Sequence, residues 1–470
     1  MKHGFDYDVI IVGAGPGGNS MAISLTRIGL DVAIIERQQF PRAHVGICIS
    51  DQTVPLLNYL DLGEEFRNAR FWRRNLTAVK WGDSEVRLVP QTGLHLDRAI
   101  FDQLMLHKAR AAGVTVYQPA RMIQAKPLEN SGWGITIAKD GSRQQLKGRF
   151  IVDATGRSSV LPGARIKDSP PLVALHASWS LKQPPKFDGL IESGKDAWLW
   201  YAQTAGNRAV VSVFCDPRRF KSNKRGDLQT TYIELLRQFQ ILQPNRFGQQ
   251  FSSPRGYDAS SQHSENPISD QYIRVGDACL SVDPLSSQGV HLALQAGIQA
   301  AIIVHTILKK PKNGALAKQF YQMRVAERVS RYTNKTRNEY ALVSAVRSES
   351  FWHERAGNLT IDQSDAIHPF IEPTSNLPSM QVTVSPDASI ERAPVIDGIF
   401  VEECQVLRHP NIEGAVAYID GINLVSLLSL LPKEFSYNEI PAHWQKQIPI
   451  TTSSKIASWL WNNRIFVEAL

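Results

Sequence analysis

Cysteine is scarce and scattered: Cys48, Cys215, Cys279 and Cys404 form no CxxC pair and no metal-ligand spacing. This excludes a disulfide scaffold or a cysteine-held metal, and four free thiols and no metal are expected. No run approaches 18 uninterrupted apolar residues, so no membrane association is expected. The most apolar early stretch, Val9–Val12, ends in a glycine cluster and reads as a buried strand, not a signal peptide. A cytoplasmic protein is therefore expected. No run of Lys or Arg exceeds two residues and no nucleic-acid motif occurs, so the net charge of +8 does not indicate nucleic acid. An anionic cofactor or an acidic partner accounts for it equally well. At 470 residues, with 43% hydrophobic and 20% charged, the chain is an ordinary globular one of two or three domains.

What is present begins at residue 7. Tyr7-Asp-Val-Ile-Ile-Val12 is a β-branched run suited to a parallel strand buried on both faces. Gly13-Ala14-Gly15-Pro16-Gly17-Gly18 follows at once, then a helix pattern over 19–29 and a second buried strand, Asp31–Ile35, ending in Glu36. Gly13 permits a tight turn, Gly15 lets backbone approach a pyrophosphate, and Gly18 allows close helix–strand packing. The helix N-terminus offers free N–H groups to phosphates, and the Glu36 carboxylate can accept from ribose hydroxyls. The order strand–turn–helix–strand–acid marks a dinucleotide site.

Two later segments favour a flavin over a nicotinamide dinucleotide. Arg149–Arg157 is a buried strand ending in Asp153-Ala154-Thr155-Gly156. Tyr272–Ala278 carries Gly276-Asp277, and Asp283-Pro284-Leu-Ser-Ser287-Gln288-Gly289 opens a long apolar helix, Val290–Leu308. Gly-Asp can place a carboxylate on a ribityl chain. A turn before a helix N-terminus brings backbone N–H groups to a flavin's pyrimidine edge.

With these pieces the sequence resembles the aromatic-hydroxylase and flavin-dependent halogenase-like superfamily of FAD enzymes, over roughly residues 5–345. Phe40-Pro-Arg42-Ala-His44-Val45-Gly46, after Arg37, is similar to the flavin-adjacent loop of the halogenase branch. In His95-Leu-Asp-Arg98, the arginine corresponds to one that reaches FAD in the family. The resemblance implies an α/β fold: a Rossmann-type FAD domain (1–75, 93–165, 266–345) with an interleaved antiparallel substrate sheet (76–92, 166–265). Its cofactor residues are Gly13, Gly15, Pro16, Gly17, Gly18, Glu36, Arg37, Arg42, His44, Val45, Gly46, Arg98, Asp153–Gly156, Gly276, Asp277, Pro284 and Gln288–Val290. The reductant is transient NAD(P)H or a separate flavin reductase.

Four departures favour oxygen insertion over halogenation. The halogenase Trp-x-Trp-x-Ile-Pro is here Trp198-Leu-Trp200-Tyr-Ala. Lys80 is the single candidate for the halogenase lysine and has an unconvincing register. Ser-Ser-Gln288-Gly289 is more like hydroxylases, and Ile47-Cys48 replaces a Glu-Ser pair. The resemblance thus implies hydroxylation of an aromatic ring through a flavin C4a-hydroperoxide. Halogenation, or reduction of an unsaturated bond, is the alternative. Catalytic candidates are His44, Lys80, Trp200, Ser287 and Gln288, with His291 nearby.

Residues 317–345 form a polar helix pattern with a basic, solvated face (Arg324, Arg328, Arg331, Lys335, Arg337). Residues 346–389 read as a linker. Residues 390–470 form a small α+β domain similar to a winged-helix module, a peptide-docking element. Such a tail suits the branch of monooxygenases that mature tryptophylquinone cofactors, so the aromatic substrate is a small molecule, a peptide, a protein or a carrier-bound group.

Overall fold

The computed structural model describes residues 4–42, 48–129, 131–220, 228–242, 246–357, 381–412 and 414–469. The chain forms two compact units, residues 1–314 with 321–361, and residues 315–320 with 362–470.

The first unit begins with β1 (Tyr7–Val12), α1 (Pro16–Arg27) and β2 (Val32–Ile35). Then come β3 (Trp72–Lys80), β4 (Arg87–His95), α2 (Arg98–Ala111) and β5 (Ser142–Asp153). Next are β6 (Val173–Leu181), β7 (Gly189–Ser193), β8 (Ala197–Ala205), β9 (Arg208–Cys215) and α3 (Leu228–Leu236). β10 (Tyr272–Arg274), α4 (Gly289–Lys309), α5 (Gly314–Ser344) and α6 (Ser350–Ala356) follow.

Two sheets organise this unit. In the first, β2, β1, the C-terminal half of β5 and β10 run parallel, with Thr115–Tyr117 on the outer edge of β2. Val9–Val12 and Val32–Ile35 are almost wholly buried, as strands covered on both faces must be. Antiparallel strands Arg121–Pro127 and Trp133–Lys139 extend the sheet beyond β5. α4 is long and apolar enough to cross a membrane, but about 72% of its apolar window is buried. It packs on α1 so closely that a Cβ at Gly297 would overlap Ser20 Oγ and Gly17 O. It is a core helix.

The second sheet has nine strands, in the order Phe247–Gln250, β6, β9, β8, β7, β3, β4, Cys48–Ser50, with Arg255–Asp258 beside β6. All its pairs are antiparallel except β7 with β3. The substrate-sheet segment 76–92 is occupied by two strands that run beyond it, 72–80 and 87–95. Both faces are covered. On one side Leu175, Leu199, Tyr201 and Val213 meet Tyr232 and Leu235 of α3. On the other, Trp198, Trp200 and Phe214 meet Tyr340 of α5 and Phe351 and Trp352 of α6.

That last contact corrects the linker assignment of 346–389. α6 lies within it, with Phe351 and Trp352 buried, because two adjacent large aromatics gain more from a core than from water. Strand Gln381–Val384 also falls in the supposed linker and belongs to the second unit.

The second unit contains a three-stranded antiparallel sheet, Glu434–Ser436, Gln381–Val384 and Phe466–Glu468, and a long hairpin, Ser389–Asp397 with Phe400–Arg408. Its helices are Leu424–Leu428, Ile440–Trp444 and Ile450–Asn462. Val382, Leu427, Trp444, Leu460 and Phe466 form their shared core. A short hairpin pairs Tyr418–Ile419 with Ile422–Asn423.

Trp352→Ala should lower unfolding free energy by about 3–5 kcal/mol, the range for deleting a buried aromatic. Chemical denaturation measures it, and a change under about 0.5 kcal/mol would mean the segment behaves as a linker after all.

Candidate functional site

β1 ends and α1 begins on a turn with no spare volume. Gly13 has φ +105°, and a Cβ there would overlap Ala154 O; a Cβ at Gly18 would overlap Gly13 O. Only bare backbone lets α1 start this close to β1. At Gly15, by contrast, the nearest atom to a Cβ is Arg42 Nη2, 3.8 Å away. The first turn of α1 has Pro16 at its start and no acidic residue, which leaves its N–H groups to an anion.

Glu36 is buried at the end of β2, where Ala14 N–H donates to Oε2 at 2.8 Å and Gln38 N–H to Oε1 at 2.8 Å. Arg42 stands 3.5 Å from Glu36 Oε1 and donates to Asp102 at 3.2 Å. Asp102 accepts twice from Arg98, at 2.9 and 3.0 Å. The expected cofactor residues Glu36, Arg42 and Arg98 thus form one chain of alternating charge, while Arg37 is exposed beside it.

Asp153 behaves differently from the expectation. Its carboxylate accepts from Thr155 N and Oγ1, Ser159 Oγ and Leu161 N, at 2.6–3.3 Å. It shapes the loop after β5 instead of offering a free oxygen. The strand end still contributes, because Ala154 N–H bonds Val12 O and seats residues 154–156 beside the glycine turn. A Cβ at Gly17 would lie 3.4 Å from Gly276 N, so Gly276-Asp277 also arrives at the start of α1. The Asp277 carboxylate stays partly open, 3.7 Å from Arg157.

The turn Pro284–Ser286 is capped by Asp283, whose Oδ1 accepts from Leu285 N–H at 2.9 Å. Asp283 is buried, which raises its carboxyl. Its other oxygen accepts from Tyr340 O–H at 2.9 Å, and Trp198 Nε1–H donates to Tyr340 at 3.2 Å. Trp198 stacks on Phe214 with ring centroids 3.8 Å apart. The first tryptophan of the Trp-x-Trp therefore braces the turn through α5. The second, Trp200, lines a cavity.

That cavity, about 760 Å³, lies between the nine-stranded sheet, the turn at 285–288 and α5. Val79, Trp81, Ile191, Trp200 and Leu285 make an apolar wall. Ser50, Arg74, Arg87, Lys335 and Glu339 add polar groups, and Glu339 is raised by burial against the pull of Lys335 and Arg87. Behind Trp200, His95 Nδ1–H donates to Gln203 O at 2.6 Å, and burial lowers the imidazole to about 4.

Of the catalytic candidates, Trp200, Ser287 and Gln288 meet in this cavity. Lys80 does not: a strand alternates its side chains, so Val79 faces the cavity and Lys80 the other side, bonded to Gln240 beside Glu192. His44, Val45 and Gly46 lie outside the described residues. His291 contacts Thr53 at 3.3 Å. Gly289 and Val290 start α4, and Val290 is buried. The basic face of α5 is not simply solvated, since Arg328 donates to Gln295 and Gln299 and Lys335 reaches the cavity. Sequence reasoning missed Arg74, Trp81 and Tyr340. An Arg-Arg pair at a strand start looks like a solvated edge, and nothing local announces where Tyr340 lands.

Parallel sheet, glycine turn and buried acid define a dinucleotide-binding α/β oxidoreductase with a second sheet over a cavity. A family model described as FAD dependent oxidoreductase matches residues 8–168. Tryptophan 2-halogenase of Chondromyces crocatus is 25% identical over 388 residues, covering 76% of this chain and 73% of that protein. Further relatives carry flavin-dependent halogenase names. The solved flavin-dependent halogenase CmlS superposes with TM-score 0.80 at 20% identity, covering 99% of this chain and 96% of its own. QhpG, a peptidyl tryptophan dihydroxylase essential for tryptophylquinone cofactor biogenesis, superposes with TM-score 0.71 at 23% identity, covering 97% and 99%. The chain is thus similar to FAD-dependent oxidoreductases of the flavin-dependent halogenase and aromatic hydroxylase family.

FAD fits the residues present: helix N–H groups for the pyrophosphate, Glu36 for the ribose, and the 284–289 turn beside the cavity. Glu36→Ala should weaken FAD binding by about 1.5–3 kcal/mol, the worth of a charge-assisted hydrogen bond, as read by fluorescence titration of the apoprotein. Unchanged affinity removes Glu36 from the site. A pH dependence follows from His95. Its folded value, about 4, lies below the 6.5 of an unburied imidazole, so the unfolded chain binds the proton first. The stability it contributes, on the order of 3 kcal/mol, is complete above about pH 6.5 and lost as pH falls towards about 4. Denaturation midpoints across that window should fall, and less steeply in His95→Gln.

Proposed function

We propose that this protein hydroxylates an aromatic ring held in the cavity under the nine-stranded sheet. The observation that carries the reading is the orientation of β3, which turns Val79 inward and Lys80 to the far face. No ammonium from this strand reaches the cavity to handle a hypohalous acid. In the net reaction a ring C–H becomes C–OH, the second oxygen atom of O₂ leaves as water, and two electrons and two protons are consumed.

When bound, FAD supplies the electrons that activate O₂. The chain's residues do the remaining work. Trp81, Trp200, Val79 and Ile191 make an apolar wall that holds a flat ring and excludes water. The turn at 285–288, braced by Asp283, Tyr340 and Trp198, sets the N-terminus of α4 beside the cofactor's place. A single dinucleotide fold supports reduction by a separate flavin reductase over a second nicotinamide site. A cavity larger than one indole supports a ring carried by a peptide or carrier.

Halogenation is the second reading, and different observations favour it. Lys335 of α5 lines the same cavity, and most named relatives are halogenases. Reduction of an unsaturated bond has no comparable support. Turnover of tryptophan amide with reduced FAD and ¹⁸O₂ in bromide buffer separates the readings. Hydroxylation gives an ¹⁸O-labelled, bromine-free product, and a brominated product overturns it.

A further inference from the structure

One end of the cavity is polar in a way that ring hydroxylation does not use. Gly93 of β4 pairs with Ser50 on one side and Arg74 of β3 on the other. Residues opposite one another in neighbouring strands project to the same face, so the serine and arginine side chains flank a bare position. A Cβ at Gly93 would lie 3.1 Å from Arg74 Nη2, and one at Gly189 of β7 would lie 3.7 Å from Arg74 Cδ. The arginine therefore lies against both glycines, although a side chain at Gly93 would first meet Ile49 O, and one at Gly189 would first meet Thr77.

Arg74 is 3% exposed, lines the cavity together with Ser50, Gln91 and Trp200, and its Nε has no hydrogen-bond partner. Ser50 Oγ is likewise buried and unpartnered. Among the described residues no carboxylate pairs with this guanidinium. Asp188 is taken by Trp72 Nε1 and the N–H groups of Asn75 and Leu76. Glu339 is offset by Lys335 and Arg87. A buried cation without a counter-charge is costly, and such a group is retained where a ligand completes it. The planar guanidinium matches a carboxylate in a fork, with a hydroxyl as a third donor.

We propose that Arg74 and Ser50 form a carboxylate-binding subsite, so that the substrate presents an acidic group alongside its ring. This rests on the aromatic reading of the cavity. The carboxylate comes either from a free aromatic acid or from an acidic side chain next to an aromatic residue in a peptide.

The FAD-loaded protein is titrated calorimetrically with two matched pairs. These are indole-3-acetate against indole-3-acetamide, and N-acetyl-Glu-Trp-amide against N-acetyl-Gln-Trp-amide. In at least one pair the acid should bind roughly tenfold to hundredfold tighter, and the pair that discriminates names the source. Arg74→Gln should erase that preference with FAD content unchanged, and Arg74→Lys should keep part of it. Equal affinities in both pairs, no binding by either acid, or a preference that survives in Arg74→Gln overturns the proposal. If Arg74→Gln does not fold, the wild-type comparison decides alone, with Ser50→Ala expected to reduce the acid's advantage several-fold. The readout is binding, so acid preference with a brominated product removes hydroxylation and leaves the subsite standing. A hydroxylated product without acid preference does the reverse.

Discussion

The closeness of α1 to its neighbours is the constraint on which the first unit depends. The helix starts where Gly18 touches Gly13 O, and α4 presses on it at Gly297 against Ser20 and Gly17. Any side chain at these points would push the helix off the sheet. Its N–H groups would then no longer sit between the ends of β1, β5 and β10. Residues more than 250 positions apart, Gly17 and Gly276, meet there only because the backbones can touch. The cofactor place is thus a packing result before it is an electrostatic one.

From that place a second line of dependence runs to the nine-stranded sheet. Trp198, Tyr340 and Asp283 form a buried hydrogen-bonded chain that ends on the Leu285 N–H. Each member is shielded from water, so each partner would be costly to leave unsatisfied, and the chain holds sheet, α5 and turn together. The Trp-x-Trp pair divides its labour accordingly: one ring is structural, and the next on the same face is offered to the cavity.

The cavity's charge is uneven. Lys335 and Arg87 face Glu339 on the side of α5, whereas Arg74 makes no ion pair among the described residues, and burial keeps its neighbour His95 uncharged. An apolar wall with an unpaired buried arginine selects ligands by sign as well as shape.

Much of this was legible in the chain itself. The glycine turn, Glu36 and the strand ends at Asp153 and Gly276 are local signals, since each depends on a few consecutive residues adopting one backbone path. The sequence alone therefore determined a dinucleotide site and its approximate boundaries. It did not determine which polar groups face the cavity. Lys80 and Arg74 stand on the same strand, and a bulge between Arg74 and Leu76 breaks the alternation that would have related their faces. Nor did it show that Phe351 and Trp352 complete a core, or that Asp153 is consumed by its own loop. These are decided by partners more than a hundred residues away, or by hydrogen bonds that form only once the loop has closed. Backbone geometry is written locally, whereas the direction and company of a side chain are settled by what packs against it.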